Sequence, residues 1–158
     1  MLQPFFEWMA GLRLSAFFLE SVWPTPIIQV IHLTTVAVFA GAVLVVDLRL
    51  LGRGLTEVPI PELARKVQPF LFWSFVVLTL TGIPQLASLA MKEYYSPFFW
   101  WKMYMVFLGL IITFGVRRFV TSKEEGQLGP VWPRVVGLTS IALWTSVTIG
   151  ARLIGLLS

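Results

Sequence analysis

Four apolar stretches, at residues 26–50, 67–91, 97–116 and 134–157, recur along the chain with short polar segments between them. Each is near the ~20 residues needed to cross the hydrocarbon core of a bilayer, where backbone groups find no water and must bond within their own segment. Helices meet that condition. The sequence therefore predicts an all-α fold, an integral membrane four-helix bundle in one transmembrane domain over residues 1–158. Composition agrees, with 57% hydrophobic and 13% charged residues against roughly a quarter charged in soluble domains.

Residues 4–23 are aromatic and apolar but are interrupted by Glu7, Arg13 and Glu20. A charge every six or seven residues is costly at the bilayer centre, so this segment reads as an N-terminal interfacial amphipathic helix. It has neither the basic leader nor the small-residue cleavage site of a signal peptide, which predicts its retention. Trp23-Pro24-Thr25-Pro26 ends it, because proline lacks an amide hydrogen and restricts the residue before it. Short-loop cations set orientation. Arg49, Arg53, Arg65, Lys66, Arg117, Arg118, Lys123 and Arg134 fall on one side, and Arg13, Lys92, Lys102 and Arg152 on the other. The imbalance predicts a multi-pass protein of the bacterial inner membrane with both termini periplasmic.

Several chemistries are excluded. With no cysteine, thiolate metal sites, iron–sulfur clusters and thiol catalysis are absent. A net charge of +4 scattered over loops does not form a nucleic-acid surface. No nucleophile–base pair, phosphate-binding glycine loop or pair of intramembrane carboxylates appears, so hydrolytic and phosphoryl chemistry lack support.

What polar chemistry remains converges on one depth. His32, Gln85, Lys102 and Arg152 each lie about five or six residues inside the outer end of a different span, hence ~8 to 9 Å deep. Ionisable side chains at such depth usually face the bundle interior and find partners, which predicts a shared polar chamber. His32 shares its helical face with Gln29, Thr35, Val36 and Phe39; Lys102 shares one with Met105, Val106 and Gly109. At Gly109 the missing side chain admits a flat ligand or another helix. Ser74, Thr81 and Gln85 form a stripe on the second span. Thr145, Thr148 and Arg152 form one on the fourth, with Trp144 beside it.

The predicted cofactor-binding set is therefore His32, Gln85, Lys102, Gly109, Trp144 and Arg152. Haem b fits it if His32 ligates the iron while Lys102 and Arg152 pair with the propionates. A single histidine leaves three solutions: five-coordinate iron, Met103 or Met105 as second ligand, or His32 donated by each of two protomers. Quinone is the alternative guest, its carbonyls bonding to His32, Gln85 or Lys102 between aromatic walls. One histidine with scattered methionines makes a poor copper set. The bland reading is a packing histidine with Lys102 and Arg152 snorkelling to lipid headgroups. Near the inner end, Asp47 and Arg49 are placed to pair with Arg117 or Arg118 in a structural role. Glu57, Glu62, Glu124 and Glu125 read as solvated loop, which Pro59 and Pro61 stiffen.

The string His32-Leu-Thr-Thr-Val-Ala-Val-Phe-Ala-Gly41, continuing to Asp47-Leu-Arg-Leu-Leu-Gly52, resembles the first helix of an uncharacterised family of small bacterial four-helix membrane proteins. Pro69-Phe70, Thr81-Gly82, Pro97-Phe-Phe-Trp-Trp-Lys102, Leu143-Trp144 and Gly150-Ala-Arg152 are similar to its later landmarks. More distantly, an early histidine in the first span and an early lysine in a later one resemble the copper-resistance D and HemJ-type protoporphyrinogen oxidase group. That resemblance implies a haem-associated site in which His32 and Lys102 hold the corresponding places. Relatives often carry a second histidine near the end of the third span, where this chain has Phe114-Gly115-Val116-Arg117. The resemblance therefore implies neither a bis-histidine site within one protomer nor the oxidase activity.

Two functions compete: a redox-cofactor protein passing electrons to a partner, and a non-catalytic accessory subunit of a larger membrane complex. Either accommodates a homo-oligomer. A transporter ranks below both, since no inverted repeat and few inner polar groups outline an aqueous path.

Overall fold

The computed structural model describes residues 2–123, 129 and 131–157, so Glu124 and Glu125 lie outside the described residues. Among these there are helices and no strand. Two short helices, α1 (Gln3–Ala10) and α2 (Arg13–Glu20), lead into α3 (Pro24–Leu50) and α4 (Ile60–Ser88). A short α5 (Ala90–Tyr95) turns the chain into α6 (Pro97–Leu110), which passes through a π-helical turn, Ile111–Val116, into α7 (Arg117–Thr121). The last helix is α8 (Val131–Leu157). Four rods, Pro24–Leu50, Ile60–Ser88, Pro97–Thr121 and Val131–Leu156, are long and apolar enough to cross a membrane. The all-α four-helix bundle is the architecture: α3 packs between α4 and α8, α8 packs on α6, and α7 reaches α4.

The rods overrun the apolar stretches for identifiable reasons. Pro24 occupies the first turn of α3, where a missing amide hydrogen costs nothing, so the proline pair starts this helix as well as closing the segment before it. The second rod begins at Ile60, seven residues before 67, with Pro61 and Glu62 in its first turn. Its first two turns are polar and carry a Glu62–Lys66 ion pair of 2.7 Å, a face that reads as loop by hydropathy alone. Pro61 is thus a helix starter and does not stiffen a loop. The third rod continues past 116 to Thr121 because Arg117 is buried rather than surface-seeking, at 3% exposure.

The segment predicted as one helix over 4–23 is two. The break falls at Gly11-Leu12, where Leu12 is extended (φ −68°, ψ 143°); glycine is among the weakest helix formers. The break lets Phe6 and Met9 insert among Ala87, Ala90, Phe99 and Ile154. It also lets the Ser15 hydroxyl donate to Ala87 O at 2.9 Å. Phe5, Trp8, Leu14 and Phe17 stay exposed. These contacts define a terminal end of the bundle, capped by α1, α2 and α5.

Further core layers stack toward the opposite, loop end. Phe39, Val43 and Leu71 form the middle one, and Val46, Leu50, Val120 and Val136 the last. At Gly137 a Cβ would stand 3.0 Å from Asp47 O and 3.3 Å from Leu50 Cβ, so bare backbone there is what lets α8 approach α3. The outward surface carries Phe70, Trp73, Leu80, Tyr104, Phe107 and Ile149, the face such rods turn to lipid.

Candidate functional site

His32 sits just over two turns into α3 and is half-buried. Its Nδ1 lies 2.7 Å from Thr81 Oγ1 on α4, and Gly82 leaves room beside it: a Cβ there would lie 3.7 Å from His32 Cε1. Thr81 is itself buried, and its hydroxyl makes a second 2.7 Å contact, to Val77 O. A carbonyl oxygen has no proton to give, so the single hydroxyl proton serves Val77 O. The imidazole must then supply the proton for its own contact. This network assigns hydrogen to Nδ1 and leaves the lone pair on Nε2, pointing away from Thr81 and without a protein partner among the described residues.

Two contacts across the bundle fix the register. Arg117 Nη1 lies 3.4 Å from Asp47 Oδ1, and Trp144 Nε1 donates to Thr113 Oγ1 at 3.0 Å. His32 precedes Asp47 by fifteen residues and Lys102 precedes Arg117 by fifteen, so both stand roughly 22 Å along parallel helices from the Asp47–Arg117 pair. Lys102 therefore shares the level of His32. Its charge acts on the imidazole, its Nζ lies 5.2 Å from the centroid of the buried Phe99 ring, and it makes no ion pair among the described residues.

Above this level α5 and Ser96, which follows it, add two groups that hydropathy conceals. Glu93 Oε2 and Ser96 Oγ are buried without a hydrogen-bond partner among the described residues. Burial pushes the Glu93 carboxyl above the usual carboxylate range, opposed by the nearby charges of Lys102 and Lys92. A six-residue helix between two spans reads as loop in a sequence. Only the pairing of an acid with a lysine nine residues on hinted at it.

The other predicted members of the set fall in different places. Gln85 is half-buried, and its Nε2 donates to Thr81 O at 3.0 Å, so it braces the helix that seats His32. Arg152 is exposed and stands outside the cluster. Gly109 receives the Trp144 indole, whose ring atoms would lie 3.2 Å from a Cβ. Trp144 is held there by Thr113 and by an edge contact to Phe39, with centroids 4.7 Å apart. The open face at Gly109 thus takes another helix's side chain. Gly109 and Trp144 form an apolar layer between α6 and α8.

Beyond that layer, toward the loop end, lies a second polar centre. Asp47 is fully buried, and Arg117 Nη1 also donates to Val43 O at 3.3 Å. Ser140, likewise fully buried, approaches the carboxyl, yet neither Asp47 Oδ2 nor Ser140 Oγ reaches regular hydrogen-bond geometry with any described residue. Arg49 Nε donates to Val58 O at 2.7 Å. An apolar groove of about 220 Å³, lined by Val38, Gly41, Ala42, Val45, Val67 and Phe70, opens between α3 and α4 away from His32. No group of three or more histidine, cysteine or acidic side chains placed to hold a metal ion occurs among the described residues.

No curated protein and no solved structure matches the chain. A family of unknown function, DUF6644, matches over residues 5–157. That span is nearly the whole sequence, and it includes most of α1 and all of α2 as well as the four rods that carry His32, Thr81, Lys102 and Trp144. The chain belongs to this DUF6644 family of unknown function.

Proposed function

We infer that this chain is an integral membrane protein that holds a redox cofactor, haem b or a quinone, at the terminal end of its bundle and serves electron transfer. The observation that carries this reading is the tethered imidazole: with Nδ1–H bound to Thr81, His32 leaves Nε2 available as a ligand or acceptor. Lys102 beside it supplies the cation that an acidic substituent or a quinone oxygen needs. The similarity of His32 and Lys102 to the haem-associated pair of HemJ-type proteins supports the same assignment. Haem supplies one-electron chemistry when bound; here His32 would hold the iron and Lys102 would pair with a propionate.

The cationic loop end, with exposed Arg53, Arg65, Lys66, Arg118 and Arg134, supports a cytoplasmic placement of that end and periplasmic termini. The exposed aromatic side of α1 and α2 supports their lying in the interface. The test is an absorption spectrum, with quinone extraction, of protein gently solubilised from native membranes. A Soret band or bound quinone, lost in His32→Ala, is expected. Colourless, folded protein with no extracted quinone ends the reading. The accessory-subunit reading rests on the groove at Gly41, where a partner helix has room to approach; stoichiometric co-purification with larger chains would favour it.

A further inference from the structure

The groove between α3 and α4 occupies one half of the rods that form it. Val38, Gly41, Ala42 and Val45 line it from α3, and Val67 and Phe70 from α4. All six fall in the loop-end halves of Pro24–Leu50 and Ile60–Ser88. Gly41 has nothing within 4 Å of its would-be Cβ, so bare backbone forms part of the wall. Val38, Val45 and Phe70 are exposed, which opens the groove onto the apolar surface that such rods turn to lipid.

Cations mark its loop end. Val38, Val45 and Arg49 are spaced by seven and four residues and share one helical face. Arg49 Nε donates to Val58 O at 2.7 Å, and Val58 stands two residues before α4, so this bond carries the guanidinium from α3 across to α4 at the mouth of the groove. Lys66 lies one turn before Phe70 on the α4 side. Its ammonium pairs with Glu62 at 2.7 Å and is 66% exposed; an exposed i,i+4 pair of this kind contributes little and yields to a stronger partner. Gly52 (φ 71°) turns the chain after α3, and Arg53 N donates back to Leu48 O at 3.0 Å, which returns Arg53 to the same end. On these elements Arg49, Arg53, Arg65 and Lys66 outnumber Glu57 and Glu62.

Length separates the possible occupants. Val38 and Arg49 are eleven residues apart, roughly 16 Å along the helix, against ~15 Å for half of a hydrocarbon core ~30 Å thick. A transmembrane partner helix would pack along the full rod, whereas a lipid needs one leaflet's depth, from headgroup level to midplane. We propose that the groove is a binding site for an anionic phospholipid of the loop-end leaflet. One acyl chain lies along Gly41 and Ala42, and the phosphate accepts charge-assisted hydrogen bonds from Arg49, Arg53 and Lys66. The proposal is independent of the His32 reading, and it competes with a partner helix for the same groove.

The experiment is native mass spectrometry of the purified full chain titrated with phosphatidylglycerol and, separately, with phosphatidylcholine carrying the same acyl chains. Wild type should hold one phosphatidylglycerol about tenfold or more tighter than phosphatidylcholine, each cation near a membrane surface contributing about fivefold. Gly41→Leu fills the groove and replaces a poor helix former with a good one; it should fold and lose the tight site. Arg53→Gln with Lys66→Gln should lose the headgroup preference. Equal or reversed wild-type affinities overturn the proposal, as does a folded double variant that keeps the preference. A Gly41→Leu protein that keeps it overturns the proposal too, because the preference would then belong to the basic loops at large. The chain has no cysteine, so Gly41→Cys also offers a unique cross-linking site in native membranes. Capture of a second protein chain there overturns the lipid assignment in favour of a partner helix, and labelling without such capture is expected. The wild-type ratio and Gly41→Leu decide even if the double variant does not fold.

Discussion

At the scale of single residues, the most consequential finding away from His32 is the burial of Asp47 against Arg117, at 0% and 3% exposure. An ion pair removed from water gains little over an apolar pair of the same volume, but breaking it leaves one charge stranded. Asp47→Ala should therefore destabilise the bundle by about 3–5 kcal/mol, and Asp47→Leu with Arg117→Met should recover most of that loss. Unfolding curves in mixed detergent micelles measure both, and a double variant no better than the single would refute this view of the pair. The pairing itself was legible, since both residues fall at the inner ends of apolar stretches. Ser140 was not, because an isolated serine gives no signal until α8 is placed against α3. His32 and Lys102 were legible as rare polar residues at one depth. Arg152 shares that depth, but sequence depth carries no azimuth, and the helix turns it outward.

At the scale of elements, the third span is the unusual one. Its π-helical turn, Ile111–Val116, accommodates one more residue than an α-helix of the same length and rotates the helix beyond it. That rotation lets Gly109 and Thr113 meet Trp144 while Arg117 meets Asp47. Gly115, exposed and with nothing within 4 Å of its would-be Cβ, is a position where a residue can be removed. Deleting it should convert the turn to regular α-helix and keep the Asp47–Arg117 contact, whereas deleting Leu108 from the α-helical part should rotate Lys102 relative to Arg117 by ~100°. Thermal stability in detergent distinguishes them: the Gly115 deletion should unfold close to wild type and the Leu108 deletion many degrees lower. Equal loss in both would contradict the role assigned to the turn. Hydropathy located all four spans because long apolar runs are unambiguous. It missed their polar ends, as at Ile60–Lys66, and the break at Gly11-Leu12, because both depend on what the helix packs against.

At the scale of the whole molecule, polar groups gather at two levels about 22 Å apart, with the Phe39, Trp144 and Leu71 layer between them. The terminal level carries unsatisfied groups, and Glu93 makes it sensitive to pH. Its carboxyl is raised in the folded protein by burial, so the folded state binds the proton more tightly than the unfolded chain. The associated stability is present below the ordinary carboxylate range and is lost as pH rises through the raised folded value. Melting temperature should accordingly fall from mildly acidic to neutral pH, and Glu93→Gln should remove that slope; a slope unchanged in the variant would assign it to another group. The two-level plan could not be read from the sequence, which locates depth along each helix but not which groups face one another.

The proposed chemistry of the terminal end turns on the His32 imidazole, which is tied through Nδ1 to Thr81 and leaves Nε2 available to a guest. An experimental map of the protein purified from native membranes probes this without intermediaries. Flat density against Nε2, bounded by Lys102, Glu93 and Phe99, is expected. A map with Nε2 directed into lipid, or with another side chain filling the space beside it, would contradict the assignment.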